Sequence, residues 1–260
     1  GLGLMSKEFF KVDIGDVVLD AWVIKPKSFN PNKKYPVIFH VYGEPAGSTV
    51  QDNWSTGDNF WHQYLANQGY VVMSVDNRGT KVPRGRDFRK SIYRQIGLLA
   101  ADDQAKAAKK IISMYSYVDA KRIGIWGWSG GGQMTLHCMF RHADVYKTGI
   151  AVSFVSNQVL YDNIYQERYM GLPSDNVEGY KEGSPVTHAG KLEGNLMIIH
   201  GTADDNVHYQ NFEILVNELI KNNKLFTMLS YPMRDHGIWQ RENTTLHMRR
   251  SMEKFWKENL

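Results

Sequence analysis

The sequence contains a single cysteine, Cys138, among its 260 residues, so no disulfide can form within the chain. A lone cysteine suits a reducing compartment and equally a bacterial periplasm, which leaves the compartment open. The sequence also lacks an apolar run of about 20 residues, the length that a membrane-spanning helix needs. No charged-then-apolar leader precedes Lys7. These absences argue against a protein held together by disulfides and against a membrane-spanning helix.

An excess of one charge is lacking too. The 31 basic and 27 acidic residues leave a net charge of +4, and the basic runs are only pairs, such as Lys33-Lys34. A nucleic-acid partner is therefore disfavoured, because phosphate binding needs basic residues clustered on one face. Hydrophobic residues make up 42% of the chain, which is enough for a folded core and excludes disorder. We expect residues 1–260 to form a single domain.

Eight short segments have the β-branched, apolar or alternating pattern of strands. From the third strand onward they alternate with helical patterns, which predicts a mainly parallel sheet with helices on both faces. Gly15-Asp16 between the first two strands is a hairpin signal, so these strands should form an antiparallel edge. The predicted strands are 8–13, 17–24, 36–41, 70–75, 122–126, 149–153, 195–200 and 226–231, and the predicted helices are 59–68, 98–115, 132–142, 209–221 and 245–260.

Two long stretches fit neither pattern. Residues 77–96, the first excursion, and residues 157–190, the second excursion, are polar, aromatic and interrupted by Gly and Pro. Long excursions in a compact domain usually carry function. We therefore expect both excursions to be functional.

Residues 127–131 have the G-x-S-x-G form, with Ser129 at the centre. Alone, such a match arises by chance in roughly one chain in ten of this length. Here an apolar strand leads into the motif and a helical pattern follows it, which is the context of a nucleophile elbow. That sharp turn exposes the serine in a strained conformation. The residues on either side must be glycines, because neighbouring backbone passes too close for a side chain. We predict an α/β-hydrolase fold with Ser129 as nucleophile, against the alternative of an incidental serine in a structural turn.

A serine hydroxyl needs a base, and in this fold an acid and then a histidine follow the serine along the chain. Asp204 follows the seventh predicted strand and His236 follows the eighth. Both positions lie past carboxyl ends of strands, where sites form in parallel sheets. We expect Asp204 to orient His236, and His236 to take the proton of Ser129 and deliver it to the leaving group.

Neighbouring residues leave alternatives open. Asp205 competes with Asp204, while His200 and His208 compete for the role of the base. We expect His200 to cap the buried sheet and His208 to lie on the surface. A metal site is disfavoured because His200, Asp204 and His208 match no recognised ligand spacing. No cofactor is expected.

Acyl transfer also needs donors for the developing oxyanion. The backbone N–H of Gly130, the residue after the nucleophile, is one candidate. The second donor usually comes from the loop after the third strand, where the Tyr42 hydroxyl is available. From the residues alone, a packed aromatic is an equally good interpretation of Tyr42.

Six motifs, taken in order, resemble the catalytic domain of the dipeptidyl peptidase IV branch of the prolyl oligopeptidase family. The similarity runs from about Val12 to the C-terminus. The motifs are Tyr42-Gly-Glu-Pro45, Asp76-Asn-Arg-Gly79, Gly127-Trp-Ser-Gly-Gly131, Glu167-Arg-Tyr-Met-Gly-Leu-Pro173, His200-Gly-Thr-Ala-Asp-Asp-Asn-Val-His208 and Asp235-His236-Gly237.

The resemblance implies Ser129, Asp204 and His236 as the catalytic triad and Tyr42 as an oxyanion donor. It also implies that four residues line the pocket for the substrate residue before the scissile bond, and that a fifth contacts the substrate carbonyl one residue upstream. The pocket residues are Val155, Tyr161, Tyr165 and Val207, and the carbonyl contact is Asn206.

Three positions depart from the family pattern. Gly130 stands where the family usually has Tyr, Gln158 where this branch tends to have Trp, and Glu44 where a Gly is usual. Losing two rings predicts a wider and more polar pocket with a weaker preference for proline. Replacing Gly130 by Tyr is then expected to restore that preference. Glu44 is expected to alter the loop that carries Tyr42.

The resemblance implies a serine peptidase that cleaves after proline near the N-terminus of oligopeptides, of dipeptidyl or tripeptidyl type, through an acyl-enzyme on Ser129. An acylaminoacyl-type peptidase or an esterase is the alternative, since the same triad serves both. A non-catalytic binding protein is disfavoured by the ordered Ser, Asp and His.

Family resemblance also implies partners. These are peptide substrates, an upstream β-propeller whose acidic residues bind the substrate's amino terminus, and a second copy in a homodimer formed through the hydrolase domain. No segment resembles a propeller, so we expect this chain to be the C-terminal part of a longer one. The resemblance favours a periplasmic or cell-envelope location.

Overall fold

A computed structural model describes residues 3–53 and 57–260 of the chain. Eight strands form one sheet, and each contains one of the predicted strand segments almost entirely. The strands are β1 (Lys7–Asp13), β2 (Val18–Ile24), β3 (Tyr35–His40), β4 (Val71–Asp76), β5 (Val118–Trp128), β6 (Thr148–Val152), β7 (Asn195–Gly201) and β8 (Thr227–Tyr231).

The strand order across the sheet is β1-β2-β4-β3-β5-β6-β7-β8. β2 pairs antiparallel with both β1 and β4, while every pair from β4 to β8 is parallel. The predicted antiparallel edge is therefore confirmed. Parallel pairing brings the carboxyl ends of β3, β5, β6, β7 and β8 to one edge of the sheet, and the candidate site residues follow these ends.

The five predicted helices are present, and their bounds differ from the prediction by no more than two residues. Three short α-helices inside the two excursions were not predicted, nor were three short 3₁₀ helices in or at the end of the second excursion, Gln158–Leu160, Pro173–Asp175 and Pro185–Lys191. Within residues 3–53 and 57–260, no helix is long and apolar enough to cross a bilayer. The helices are α1 (Gly57–Asn67), α2 (Arg86–Lys90), α3 (Leu98–Met114), α4 (Gly130–Arg141), α5 (Asn163–Met170), α6 (Val177–Glu182), α7 (Gln210–Lys221) and α8 (Thr244–Asn259).

The sheet is covered on both faces, which confirms the predicted fold class. Along β3, Val37 and Phe39 belong to a core shared with α3, α4 and α7, whereas Ile38 belongs to a core shared with α1 and α8. Side chains alternate between the faces of a strand, so strands buried on both faces are apolar throughout. This double packing fixes the sheet edge from which the site loops project.

The two excursions pack against each other beside that edge. A third cluster joins Ile92 and Ile96 of the first excursion to Met170 and Tyr180 of the second. The backbone N–H of Arg94 also donates to the carbonyl of Tyr169 at 2.7 Å. The excursions therefore form one folded unit next to the site.

Candidate active site

Ser129 lies on the sharp turn between β5 and α4. Its backbone has φ 58° and ψ −118°, a conformation that costs a non-glycine residue roughly 1–3 kcal/mol. The Ser129 N–H donates to the carbonyl of Val152 on β6 at 2.8 Å, which holds the turn against the sheet. The strained, anchored geometry is that of the predicted elbow.

The two glycines of the turn are required by backbone that passes close to them. A Cβ at Gly127 would overlap the carbonyl group of Gly131 and lie 2.6 Å from the carbonyl oxygen of Val41. A Cβ at Gly131 would overlap the same Val41 oxygen. The sequence-based reason for these glycines is thus confirmed.

Asp204 and His236 are joined directly. Nδ1 of His236 donates to Oδ2 of Asp204 at 2.7 Å, and the Asp204 side chain is fully buried while the His236 side chain is 21% exposed. Because an ionised carboxylate only accepts hydrogen bonds, Nδ1 carries a proton, and in the neutral ring Nε2 then keeps its lone pair. His236 is therefore held in the tautomer that a general base needs.

The Asp204 carboxylate is held in its ionised form. Burial opposes ionisation, but hydrogen bonds from His200 and His236 outweigh it and keep the pKa of Asp204 well below its usual range. The other carboxylate oxygen accepts backbone N–H groups from Asn206 at 3.0 Å and Val207 at 2.8 Å. Hydrogen bonds from His236, Asn206 and Val207 thus hold the carboxylate, and the last two come from its own loop.

The alternatives of the sequence analysis lie elsewhere. Asp205 and His208 are exposed. His200 is fully buried at the end of β7, where its Nε2 lies 2.8 Å from the carbonyl oxygen of Val207 and 3.2 Å from Oδ2 of Asp204. His200 therefore contacts the same carboxylate oxygen of Asp204 that accepts from His236. That contact was not expected for a residue that only caps the sheet.

Two residues that the sequence analysis missed anchor the main chain of His236. Nε1 of Trp128 donates to the His236 carbonyl at 2.9 Å, and the Ser153 hydroxyl donates to the same oxygen at 3.1 Å. Trp128 precedes Ser129, so the elbow and the histidine loop are tied together. No local pattern in the sequence marked either residue, because each contact joins the end of one strand to a loop that follows another strand.

Ser129 and His236 are brought to the same sheet edge without a direct bond. Across the described residues, no hydrogen bond joins the Ser129 hydroxyl to the His236 ring. Such bonds are often long in a free enzyme and tighten when substrate binds. A cavity of about 430 Å³ opens beside Ser129 and is also lined by Trp128 and Tyr42.

Both candidate oxyanion donors border the elbow. Gly130 is the first residue of α4, and N–H groups in a first helical turn have no acceptor within the helix. Tyr42 is half-buried after β3, and its hydroxyl makes no hydrogen bond within the part of the chain that the structure describes. Burial, followed by the charge of Glu44, raises the pKa of Tyr42. Its hydroxyl therefore keeps its proton and remains a donor.

The second excursion supplies an aromatic wall. The rings of Tyr161 and Tyr165 meet edge-on with centroids 5.3 Å apart, and Tyr165 meets Tyr169 at 4.9 Å. The Tyr161 hydroxyl donates to Oδ1 of Asn206 at 2.9 Å. The structure thus joins two of the predicted pocket residues and the predicted carbonyl contact, Asn206, through direct contacts.

Other predicted pocket residues are less accessible. Val155 and Val207 are 4% and 0% exposed, in the loops after β6 and β7. Gln158 is fully buried; its amide donates to Gly183 at 2.9 Å and accepts from Gln166 at 2.7 Å. The expectation that Gln158 makes the pocket more polar is therefore wrong, because both ends of its amide are used inside the protein.

The expectation that Gly130 leaves the pocket without a wall on this side is also wrong. A Cβ at Gly130 would overlap Cγ of Glu44 and lie 3.0 Å from its Cβ. Glu44, which is only 2% exposed, fills the space beside the elbow. Replacing Gly130 by Tyr alone would therefore collide with Glu44.

Among residues 3–53 and 57–260, no group of three or more His, Cys, Asp or Glu side chains could hold a metal ion. The arrangement consists of a serine on an elbow, a histidine with a free Nε2 and a buried carboxylate. On an eight-stranded sheet covered on both faces, these features define an α/β hydrolase.

Comparison with known proteins narrows this class. The family model described as the prolyl oligopeptidase family matches residues 57–260. The chain belongs to the prolyl oligopeptidase family of serine peptidases.

The relatives are peptidases of the dipeptidyl peptidase IV type. The crystal structure of Porphyromonas gingivalis dipeptidyl peptidase 4 superposes with a TM-score of 0.94 at 42% identity, over 99% of this chain and 36% of that one. The "Probable dipeptidyl-aminopeptidase B" of Arthroderma otae is 42% identical over 219 residues, 83% of this chain and 23% of that protein. The "Prolyl endopeptidase FAP" of Bos taurus is 36% identical over 259 residues, which cover 98% of this chain and 33% of that protein.

The chain therefore spans 23% to 33% of the length of these curated relatives.

Proposed function

We propose that the chain is the catalytic domain of a peptidase that cleaves after proline near the N-terminus of oligopeptides, releasing dipeptides or tripeptides. The observation that carries the proposal is the buried Asp204 bonded to His236, set beside a strained Ser129 elbow. The names of the relatives support this function over an acylaminoacyl peptidase or an esterase.

The chemistry follows from the positions of four groups. Ser129 Oγ attacks the scissile carbonyl while Nε2 of His236 takes its proton, and Asp204 stabilises the resulting imidazolium. The carbonyl oxygen becomes an oxyanion that accepts from the Gly130 N–H and the Tyr42 hydroxyl. The tetrahedral intermediate then collapses, the C–N bond breaks, and His236 protonates the leaving amine. Water, activated by His236, then attacks the acyl-enzyme through the same steps, which releases the acyl product as a carboxylic acid and regenerates Ser129.

Specificity is assigned to the aromatic wall. Flat proline packs well against rings, and Tyr161 and Tyr165 present two rings at right angles. The hydrogen bond from Tyr161 orients Asn206, whose amide NH₂ is then available to the substrate carbonyl one residue upstream. Val155 and Val207 back the pocket as apolar packing.

The remaining parts of the proposal concern sequence beyond this domain. We infer that a β-propeller precedes the chain in the full-length protein and binds the free amino terminus of the substrate. We further infer a homodimer formed through the hydrolase domain. The short span of this chain relative to its relatives supports additional domains.

The test compares kcat/KM for a Gly-Pro anilide and a short acyl ester in the full-length protein. We expect the anilide to be the better substrate. The Ser129→Ala variant is the control, and it should lose both activities. Turnover of the ester without turnover of the anilide would replace the proposed function with an esterase.

A second comparison uses the isolated 260-residue chain. It should cleave dipeptide substrates poorly, and free-amine and N-blocked substrates should differ little, because the amine-binding residues lie upstream. A strong preference for the free amine in this chain would place amine recognition within it.

A further inference from the structure

Glu44 is a buried acid inside an otherwise aromatic wall. Its side chain is 2% exposed and lies in the loop between β3 and α1, two residues after Tyr42. One carboxyl oxygen, Oε2, accepts from the Tyr165 hydroxyl at 2.8 Å. The other, Oε1, is buried and has no hydrogen-bond partner within the described residues. Burying a carboxyl oxygen without a hydrogen bond costs free energy, so the presence of Glu44 at this place needs an explanation.

The Glu44 side chain packs against the Cα of Gly130. A Cβ there would overlap Cγ of Glu44, and no backbone atom is among the three atoms closest to it. Gly130 also lies outside the left-handed φ region, so its own backbone would accept a side chain. The three atoms nearest to a Cβ at this position thus all belong to the Glu44 side chain.

We propose that Glu44 is a specificity-determining and positioning residue. It forms the wall of the proline pocket in place of a side chain at position 130, and it fixes the Tyr165 ring by accepting a hydrogen bond from its hydroxyl. The proposal rests on the proposed function, because it assigns the pocket to Tyr161 and Tyr165. It explains two departures from the family pattern as one exchange of volume: position 44 has a larger side chain than usual, and position 130 has none, so the first fills the space of the second.

The surroundings of Glu44 contain hydroxyl groups and no cation. The titratable groups that interact with its charge are Tyr42, Tyr161 and Tyr165. No Lys or Arg of the described part forms an ion pair with it. Burial, only partly offset by the hydrogen bond from Tyr165, raises the pKa of Glu44 to about 7. Ionisation thus places an unpaired negative charge near both the pocket and the Tyr42 hydroxyl.

The first experiment measures coupling between the two positions by thermal unfolding. Gly130→Ala should lower Tm by roughly 4 °C or more in the parent, because the new methyl collides with Glu44. In a Glu44→Gly background the same change should cost far less. Equal Tm shifts in both backgrounds would contradict the exchange of volume.

The second experiment measures specificity in the full-length protein. Glu44→Gly removes the wall, so the ratio of kcat/KM for Gly-Pro over Gly-Ala anilides should fall by about 10-fold or more. Glu44→Gln keeps the volume and an acceptor for Tyr165, so it should hold the ratio within about 3-fold. The exposed Glu193→Gln is the matched control. An unchanged ratio in Glu44→Gly would overturn the proposal.

The third readout is the pH profile of kcat on the Gly-Pro anilide. The parent should lose activity as pH rises through about 7, because an ionised Glu44 opposes the developing oxyanion. Glu44→Gln should remove this falling limb, which a purely structural role would not do. A falling limb that persists in Glu44→Gln would contradict the positioning role.

Fluorophosphonate labelling of Ser129 separates the two levels of the argument. If the parent is not labelled, the proposed function fails. If the parent and the Glu44 variants are labelled but neither the Tm coupling nor the substrate ratio changes, only the assignment of Glu44 fails.

Discussion

The three glycines around Ser129 look alike in sequence but are required for different reasons. Gly127 and Gly131 lie against backbone, and the carbonyl oxygen of Val41 blocks a side chain at either one. Gly130 lies against the side chain of Glu44. Backbone atoms that exclude a side chain are present in any sequence with this fold. A side chain that does so, such as that of Glu44, depends on the residue that this sequence has at that position. The elbow is therefore the general region, set by the fold, and the pocket wall at Glu44 and Gly130 is the particular region, set by this sequence.

The largest effect should come from the general region. Changing Ser129 or His236 to Ala should reduce kcat on the order of 10⁶-fold, and the double variant should lose little more, because the groups act as one unit. Steady-state kinetics on a Gly-Pro anilide is the measurement. Additive losses, or activity close to that of the parent in Ser129→Ala, would show that the elbow is not the reacting centre.

Tyr42 stands between the two regions, since it borders the elbow and follows β3 in the loop that carries Glu44. Tyr42→Phe removes the hydroxyl without emptying the space, and it should cost roughly 10² to 10³ in kcat. KM should change much less. A kcat equal to that of the parent would assign Tyr42 to packing alone.

The contrast between glycines predicts different responses to a second change. Gly131→Ala should lower the free energy of unfolding by about 3 kcal/mol, because its methyl meets a backbone carbonyl that cannot move away. Unlike Gly130→Ala, it should not be rescued by Glu44→Gly. Denaturant unfolding of both double variants checks this difference, and rescue of Gly131→Ala would break the comparison.

The smallest effect concerns the pH dependence of stability. Burial raises the pKa of Glu44 from its ordinary value of 4.5 to about 7, so between these values the folded state binds more protons than the unfolded state. The free energy of unfolding should therefore fall as pH rises through this window, by at most about 3 kcal/mol. Glu44→Gln should flatten that part of the curve. Identical pH dependence in parent and variant would mean that Glu44 titrates normally when folded.

The sequence predicted the fold well for a physical reason. Strands buried on both faces are continuous apolar runs, and the helices between them have clear apolar periodicity, so all eight strands and five helices were recognisable. The short helices α2, α5 and α6 were missed because they lie in polar excursions. Their packing depends on contacts such as Ile96 with Met170, which join distant parts of the chain.

The same distinction applies to the site. Ser129, Asp204 and His236 follow strand ends in a fixed chain order, so local patterns predicted them, and the structure joins Asp204 to His236. The contacts of Trp128, Ser153 and His200 depend on how separate loops meet and left no local signal. Glu44 and Gly130 were each noticed as departures, but only their packing shows that one side chain fills the space left by the other.

The most direct test of the catalytic assignment is the site of covalent labelling by a fluorophosphonate. After reaction and digestion, peptide mass spectrometry should find a single phosphonyl adduct on Ser129, formed much more slowly in His236→Ala and not formed in Ser129→Ala. A parent chain that folds but forms no adduct, or an adduct on another residue that persists in Ser129→Ala, would contradict the assignment of Ser129 as the nucleophile.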